Sequence, residues 1–307
     1  MFLLSELTRF LLDKNLIDAM PVIDKEVEID RFASLSHPSP DALCWSKKIL
    51  PIEQIPVAAV LVCLPQQPHN SDLSTVMLHV KEPRRAFGEI VSHFCPEEHK
   101  TGISEKAVIH PTVIIGKDVY VGPGTVIGEH CRIGDGTVID ANVTIYRRVT
   151  IGKSCHIFSG AVIGADGHGY VLDGNKKYQK VRHMGNVVIG DNVDVGANSC
   201  VDRGVLDDTR IGDNTKIDNL VQVAHNVVIG ENCMITGGCQ IGGSCVIGNN
   251  SWLAPSCIVK NGTKVANEVR ICMNSVVIRN VKTSNVTVYG DPAKVIFPYV
   301  IDGESQL

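Results

Sequence analysis

The hydrophobic positions of this chain fall on a six-residue period. From Ile103, steps of six meet Ile109, Ile115, Val121, Ile127, Ile133, Ile139, Ile145, Ile151, Ile157 and Ile163 without a miss. The pattern returns at Ile189, Val195 and Val201 and slips across the segment from Asp202 to Arg210. It resumes at Ile211, Ile217, Val223, Ile229, Ile235, Ile241, Ile247, Leu253, Val259, Val265, Ile271 and Val277. A fixed repeat of this kind overrides ordinary helix and strand reading. A six-residue unit headed by a branched aliphatic, often followed by Gly as in Ile115-Gly116, Ile127-Gly128 and Ile247-Gly248, predicts a parallel β-helix whose every unit is a short strand and a corner. The fourth residue after each aliphatic is small or β-branched, for example Thr125, Cys131, Thr137, Val143, Cys155, Thr215, Cys233, Cys239 and Cys245, which suits a narrow interior.

Two interruptions break the array. The first runs from Gly164 through Met184, is long for a corner and rich in Gly, and is expected either to cover a groove or to be a surface insertion. The second, Asp202 to Asp208, carries several charges that a solvated loop explains equally well. Residues 1–100 lack the repeat. There, Leu3, Leu4, Leu7, Phe10 and Leu11 sit at helical spacing, Val57–Leu64 and Val76–Val80 read as buried strands, and Arg84–Phe94 follows Pro83 as a second helix. The expected organisation is a small α/β domain over 1–100, a candidate nucleotide-binding unit, then the β-helix over 101–281 and a short C-terminal tail over 282–307.

Composition narrows the partners. A net charge of -4 and a pI near 6.2 provide no basic field, so nucleic acid is not an expected partner. No stretch has the length of a membrane span, and the N-terminus lacks the basic n-region of an export signal, which leads to a cytoplasmic expectation. Eleven cysteines fit a reducing compartment, and no Cys-x-x-Cys spacing points to a metal. Six of them, Cys131, Cys155, Cys233, Cys239, Cys245 and Cys257, share the interior register and read as core filler.

Histidine carries the candidate chemistry. Ten of the eleven precede Ile189, and the later array holds only His225, two places after Val223 and so near a corner, its ring expected to point outward into a groove. Acyl transfer to an amine needs a base that works near neutral pH, which imidazole supplies. From position alone, a surface histidine without a role is the competing reading.

Several segments carry a more specific likeness. Ala141 to Tyr146, Gly164-Ala165-Asp166-Gly167-x-Gly169-Tyr170, Ile189-Gly190-Asp191, Asp202-Arg203-Gly204-x-Leu206-Asp207-Asp208-Thr209, Ile217-Asp218-Asn219 and Ala224 to Gly230 resemble the UDP-3-O-acylglucosamine N-acyltransferases of lipid A synthesis. The resemblance runs through most of residues 100–250. It implies a mainly β fold, a left-handed parallel β-helix of hexapeptide repeats with the small N-terminal α/β domain, assembled as a homotrimer with sites between subunits. It further implies an N-acyltransferase in which His225 is the general base, with Asp218, Asn219, Gln222 and Asn226 near the sugar or the imidazole, and with no metal and no bound cofactor. The co-substrate would be an acyl carrier protein thioester or an acyl-CoA, and the acceptor a nucleotide-linked amino sugar.

The chain also departs from that family. The family's second histidine, in an Asn-Gly-His run, is matched by Asn261-Gly262-Thr263, so no second imidazole is expected and backbone N–H groups would hold the oxyanion. The base-stacking aromatic of the N-terminal domain is matched only by Cys44-Trp45-Ser46-Lys47, where Trp45 either stacks on a base or packs in the core. His168 stands where the family has Phe, and Gly290-Asp291-Pro292-Ala293-Lys294 resembles the ending of sugar acetyltransferases. A short-acyl transferase for surface polysaccharide is therefore the alternative. A γ-type carbonic anhydrase is disfavoured because it needs three zinc-binding histidines, and a non-catalytic β-helix is the remaining option.

Overall fold

The computed structural model describes residues 1–18, 26–68, 74–96 and 100–298, and these fall into two compact units that divide near residue 99. In the first, strands Arg31–Phe32, Ala42–Trp45, Val60–Cys63 and Val76–His79 pair in that order as a parallel sheet. Helix α1 (Leu4–Asp13) buries Leu4, Leu7, Thr8 and Leu11, the single stripe that its spacing predicts. Its start is held by Glu6, whose carboxylate accepts the Leu3 N–H at 2.8 Å. Helix α2 (Pro83–Phe94) opens on proline, whose fixed φ and missing N–H suit a first helical position.

The second unit is a parallel β-helix with three faces of eleven, nine and eight strands. Most strands are two residues long, and the aliphatic on the six-residue period is the inward one, as at Ile139, Ile157 and Val223, none of which is exposed to solvent. Tyr120 pairs with Val138 and Val121 with Ile139, so three hexapeptides complete one coil. Most corners turn through a left-handed residue, with φ near +58° at Asn142 and Asn214 and +60° at Asn226, where Asn tolerates a backbone most side chains avoid.

The choice of Thr and Cys at the fourth position has a physical cause beyond size. Thr125 Oγ1 donates to the Asp140 carbonyl at 2.7 Å and accepts the Val143 N–H at 3.1 Å, and Cys131 Sγ donates to the Tyr146 carbonyl at 2.9 Å. These side chains satisfy corner groups that the interior hides from water. All six cysteines of this register are buried free thiols.

Within the segment read as a short C-terminal tail, two strands extend one face. Val286–Gly290 pairs in parallel with Val269–Ile271, and Ala293–Pro298 folds back on it antiparallel. Both interruptions leave the solenoid along the same edge, between its nine-stranded and eight-stranded faces. The first lies between Val162–Asp166 and Val187–Ile189, the second between Cys200–Arg203 and Thr209–Ile211. The first projects an antiparallel hairpin, Tyr170–Leu172 against Tyr178–Lys180. Arg203, 1% exposed, fastens its base by donating from Nε to the Gly164 carbonyl at 2.7 Å and from Nη2 to the Arg147 carbonyl at 2.6 Å.

Candidate active site

The next coil places His225 on that same edge, at the corner between Gln222–Val223 and Val228–Ile229. Its orientation follows from its neighbour. Asn226 takes the Val205 N–H on Oδ1 at 2.9 Å and gives Nδ2 to the Asp207 carbonyl at 3.2 Å, which fixes the direction of its amide. Oδ1 therefore faces His225 Nδ1, at 3.1 Å, as an acceptor. The proton sits on Nδ1, and Nε2 keeps its lone pair.

Two glycines make room for the ring. A Cβ on Gly243 would lie 2.7 Å from both Cε1 and Nε2, and one on Gly167 would lie 3.0 Å from Cδ2. Neither has a left-handed backbone, so what is required is space. The imidazole is thus half-buried between two stretches of main chain.

Acidic and basic groups gather round it. Half-buried Asp202 accepts from Gln222 Nε2 at 2.9 Å. Burial pushes its carboxyl above the usual aspartate range, an effect that the Gln222 hydrogen bond offsets in part. Burial would raise Asp166 as well, but the Lys180 ammonium at 3.0 Å, by hydrogen bond and charge, together with the Arg203 guanidinium, holds it below its ordinary value. The charges of the second interruption are accordingly not all solvated: Asp202 serves this cluster and Arg203 is buried.

A second imidazole is present. His183, at the end of the first excursion, has no exposed surface, its Nδ1 lies 2.9 Å from the Val181 carbonyl, and its ring stands edge-on to His225 with centroids 5.4 Å apart at 79°. The array itself offers none, since the Asn261-Gly262-Thr263 corner ends in buried Thr263. The excursion has no repeat register, which is why sequence reasoning missed His183.

Gln222 and Asn226 stand with His225, as positioning groups for Asp202 and for the ring. His168 is exposed on the loop beside Gly167, its ring 4.9 Å from that of Tyr170. Asp218 and Asn219 occupy a different edge, between the eleven-stranded and nine-stranded faces, so one chain does not bring them to His225. There they take the Gly237 N–H at 3.0 Å and the Ala197 N–H at 2.6 Å, stitching coil to coil. In the first unit, Trp45 stacks on Phe87 at 5.3 Å and 17°, which covers one face of the indole. Among the described residues, no three His, Cys, Asp or Glu side chains are grouped to hold a metal ion.

Residues 106–140, 130–165 and 208–243 match the family described as bacterial transferase hexapeptide (six repeats). A UDP-3-O-acylglucosamine N-acyltransferase of Marinomonas is 37% identical over 194 residues, 56% of this chain and 55% of that protein. That of Alkalilimnicola ehrlichii is 32% identical over 54% of this chain and 53% of its own length. The chain therefore spans about half the length of the curated relatives it matches. Among solved structures, the UDP-N-acetylglucosamine acyltransferase of Francisella novicida is 27% identical with a TM-score of 0.56, covering 61% of this chain and 66% of that one. Another UDP-N-acetylglucosamine acyltransferase is 25% identical with a TM-score of 0.59, covering 64% of this chain and 74% of that one. Such neighbours are left-handed β-helices, and the solenoid described above is one too. Residues 106–165 and 208–243 of it match the bacterial transferase hexapeptide repeat, and over about half its length the chain is similar to UDP-3-O-acylglucosamine N-acyltransferases.

Proposed function

We propose that this protein is an N-acyltransferase that moves an acyl group from a thioester to the amine of a nucleotide-linked amino sugar. The observation that carries the reading is His225 Nε2, left as a bare acceptor by the Asn226 hydrogen bond, at a corner that both interruptions of the solenoid touch, the first through Gly167 and the second through Val205 and Asp207. The acceptor nitrogen attacks the thioester carbonyl and a C–N bond forms. One proton passes from that nitrogen to His225 Nε2, the C–S bond breaks as the tetrahedral adduct collapses, and the proton is delivered to the departing sulfur. The Gly243 main chain passes under the same nitrogen and supplies the N–H for the oxyanion. Asp202 steadies the imidazolium that exists between the two proton transfers.

In this reading the donor is an acyl carrier protein or coenzyme A thioester, the enzyme works as a homotrimer, and His168 and Trp45 contact the acceptor. A cytoplasmic site of action is supported by the eleven free thiols, and no helix among the described residues is long and apolar enough to cross a membrane.

The test offers UDP-3-O-acylglucosamine with hydroxyacyl carrier protein in one series, and nucleotide amino sugars with acetyl- or hydroxybutyryl-CoA in another. Turnover in the first series assigns the lipid A type reaction, and turnover in the second assigns the short-acyl alternative. In whichever series is active, His225→Ala lowers kcat by about 10²- to 10⁴-fold while the circular dichroism spectrum is unchanged. Near-normal turnover in that variant would falsify the assignment of the base.

A further inference from the structure

We propose that His183 is a positioning residue for His225: a buried imidazole that turns the lone pair of its Nε2 toward the base and favours the charged ring while it carries the acceptor's proton. The inference rests on the acyl-transfer reading and adds a residue to it. Three observations carry it. His183 has no exposed surface, yet its Nε2 has no hydrogen-bond partner, although an unpaired buried nitrogen is destabilising. Nδ1 donates to the Val181 carbonyl at 2.9 Å, so the lone pair lies on Nε2. The point where a Gly167 Cβ would sit is 3.2 Å from that nitrogen and 3.0 Å from His225 Cδ2, so the bare edge of one ring and the edge of the other border the same space beside Gly167.

A space-filling role would be met better by Leu or Phe, which bring no unpaired nitrogen. An imidazolium at position 183 would bury an N–H with no acceptor. A neutral imidazole fixed in this direction instead presents the negative end of its dipole to a ring that becomes positive during the reaction, and it does so in a water-poor setting where fixed dipoles act strongly. Asp202 faces the same two imidazoles, while Asp166 is taken up by Lys180 and Arg203. His183 itself exchanges no proton: the amine's proton moves to His225 Nε2 and then to sulfur, as above. Gly167 and Gly169 are part of the arrangement, because a Cβ on Gly169 would lie 2.7 Å from His183 Cε1.

The test uses the full-length protein with His183→Phe, which keeps a ring without nitrogen, and His183→Gln, which keeps a polar group near the Nε2 position. Melting temperature, kcat and KM are measured, along with the rate at which diethyl pyrocarbonate acylates His225, followed by peptide mass spectrometry. That reagent needs no substrate, and it also makes the His225 ring positive as it reacts. For His183→Phe the expected result is a melting temperature no lower than wild type, kcat reduced about tenfold or more with KM nearly unchanged, and His225 acylation slowed to a similar degree. His183→Gln is expected to recover most of both rates. Unchanged kcat and unchanged His225 acylation in the Phe variant would overturn the inference. So would equal losses in both variants that simply track melting temperature. If wild type acylates no amine while His225 reactivity still depends on residue 183, the acyl-transfer reading fails and the coupling of the two rings stands.

Discussion

At the residue scale, the site spends stability on its electrostatics, and Asp202 shows it most directly. Burial raises its carboxyl above the value in the unfolded chain, so the folded state holds that proton more tightly. Below the unfolded aspartate range, near pH 3.9, the residue costs nothing. As pH rises from there through the raised folded value, the group becomes an increasing liability, and above that value the penalty is constant. Asp202→Asn removes the liability and still offers Gln222 an oxygen. The variant is therefore expected to melt higher than wild type at neutral pH, with the difference vanishing below about pH 4. Its kcat is expected to fall about tenfold or more, since the charge that steadies imidazolium is gone. Melting curves at several pH values with matched kinetics check both halves; equal stability at all pH values would mean Asp202 is not desolvated in solution. None of this was legible in the residue's own segment, where a charged loop reads as solvated. Only the stacking of successive corners reveals which charge faces His225.

At the element scale, the six-residue period specified the solenoid almost completely, because every inward aliphatic and every fourth residue is repeated and any slip would turn the pattern outside in. The interior Thr and Cys read in sequence as narrow filler, and the structure adds that they serve the corners. Thr137 Oγ1 donates to the Gly152 carbonyl at 2.8 Å and accepts the Cys155 N–H at 3.1 Å, with no exposed surface. Val has nearly the same shape and neither function. Thr137→Val should therefore destabilise the protein by about 1–3 kcal/mol, the cost of leaving buried backbone groups unpaired. Thr137→Cys should lose less, as Cys131 and Cys155 already donate to corner carbonyls. Urea unfolding of the two variants decides it, and a Val variant as stable as wild type would show that these hydroxyls only fill space. The excursions were legible as interruptions but not as parts of the site. Which edge an insertion leaves from depends on its place within an eighteen-residue coil, and what its loop covers depends on packing without a period.

At the scale of the whole molecule, the two units have cores built from different residues. One cluster gathers Leu4, Leu7, Leu11, Val60, Val62, Ile90 and their neighbours, and the other runs up the solenoid from Val119 to Val288. Every coil is bonded to the coil before and after it, so stability there is a sum of local and nearest-neighbour contributions. The sequence reads a division near residue 100, where the period begins, and it marks the first unit as a candidate for nucleotide recognition without showing a site in it. Separating the units tests that assignment. A chain starting at Lys100 should fold on its own, with a β-type circular dichroism spectrum and a cooperative thermal transition. It contains His225, His183, Asp202 and Gly243, so it should retain the kcat of the active series. If the first unit supplies the nucleotide contacts, KM for the nucleotide-linked acceptor should rise about tenfold or more, equivalent to the loss of roughly 1.4 kcal/mol of binding, while KM for the acyl donor stays put. An unchanged acceptor KM would take the nucleotide away from the first unit, leaving Trp45 as a packed residue against Phe87. A fall in kcat with both KM values unchanged would instead mean that the first unit supports the chemistry itself, and the corner around His225 would then not be sufficient for it.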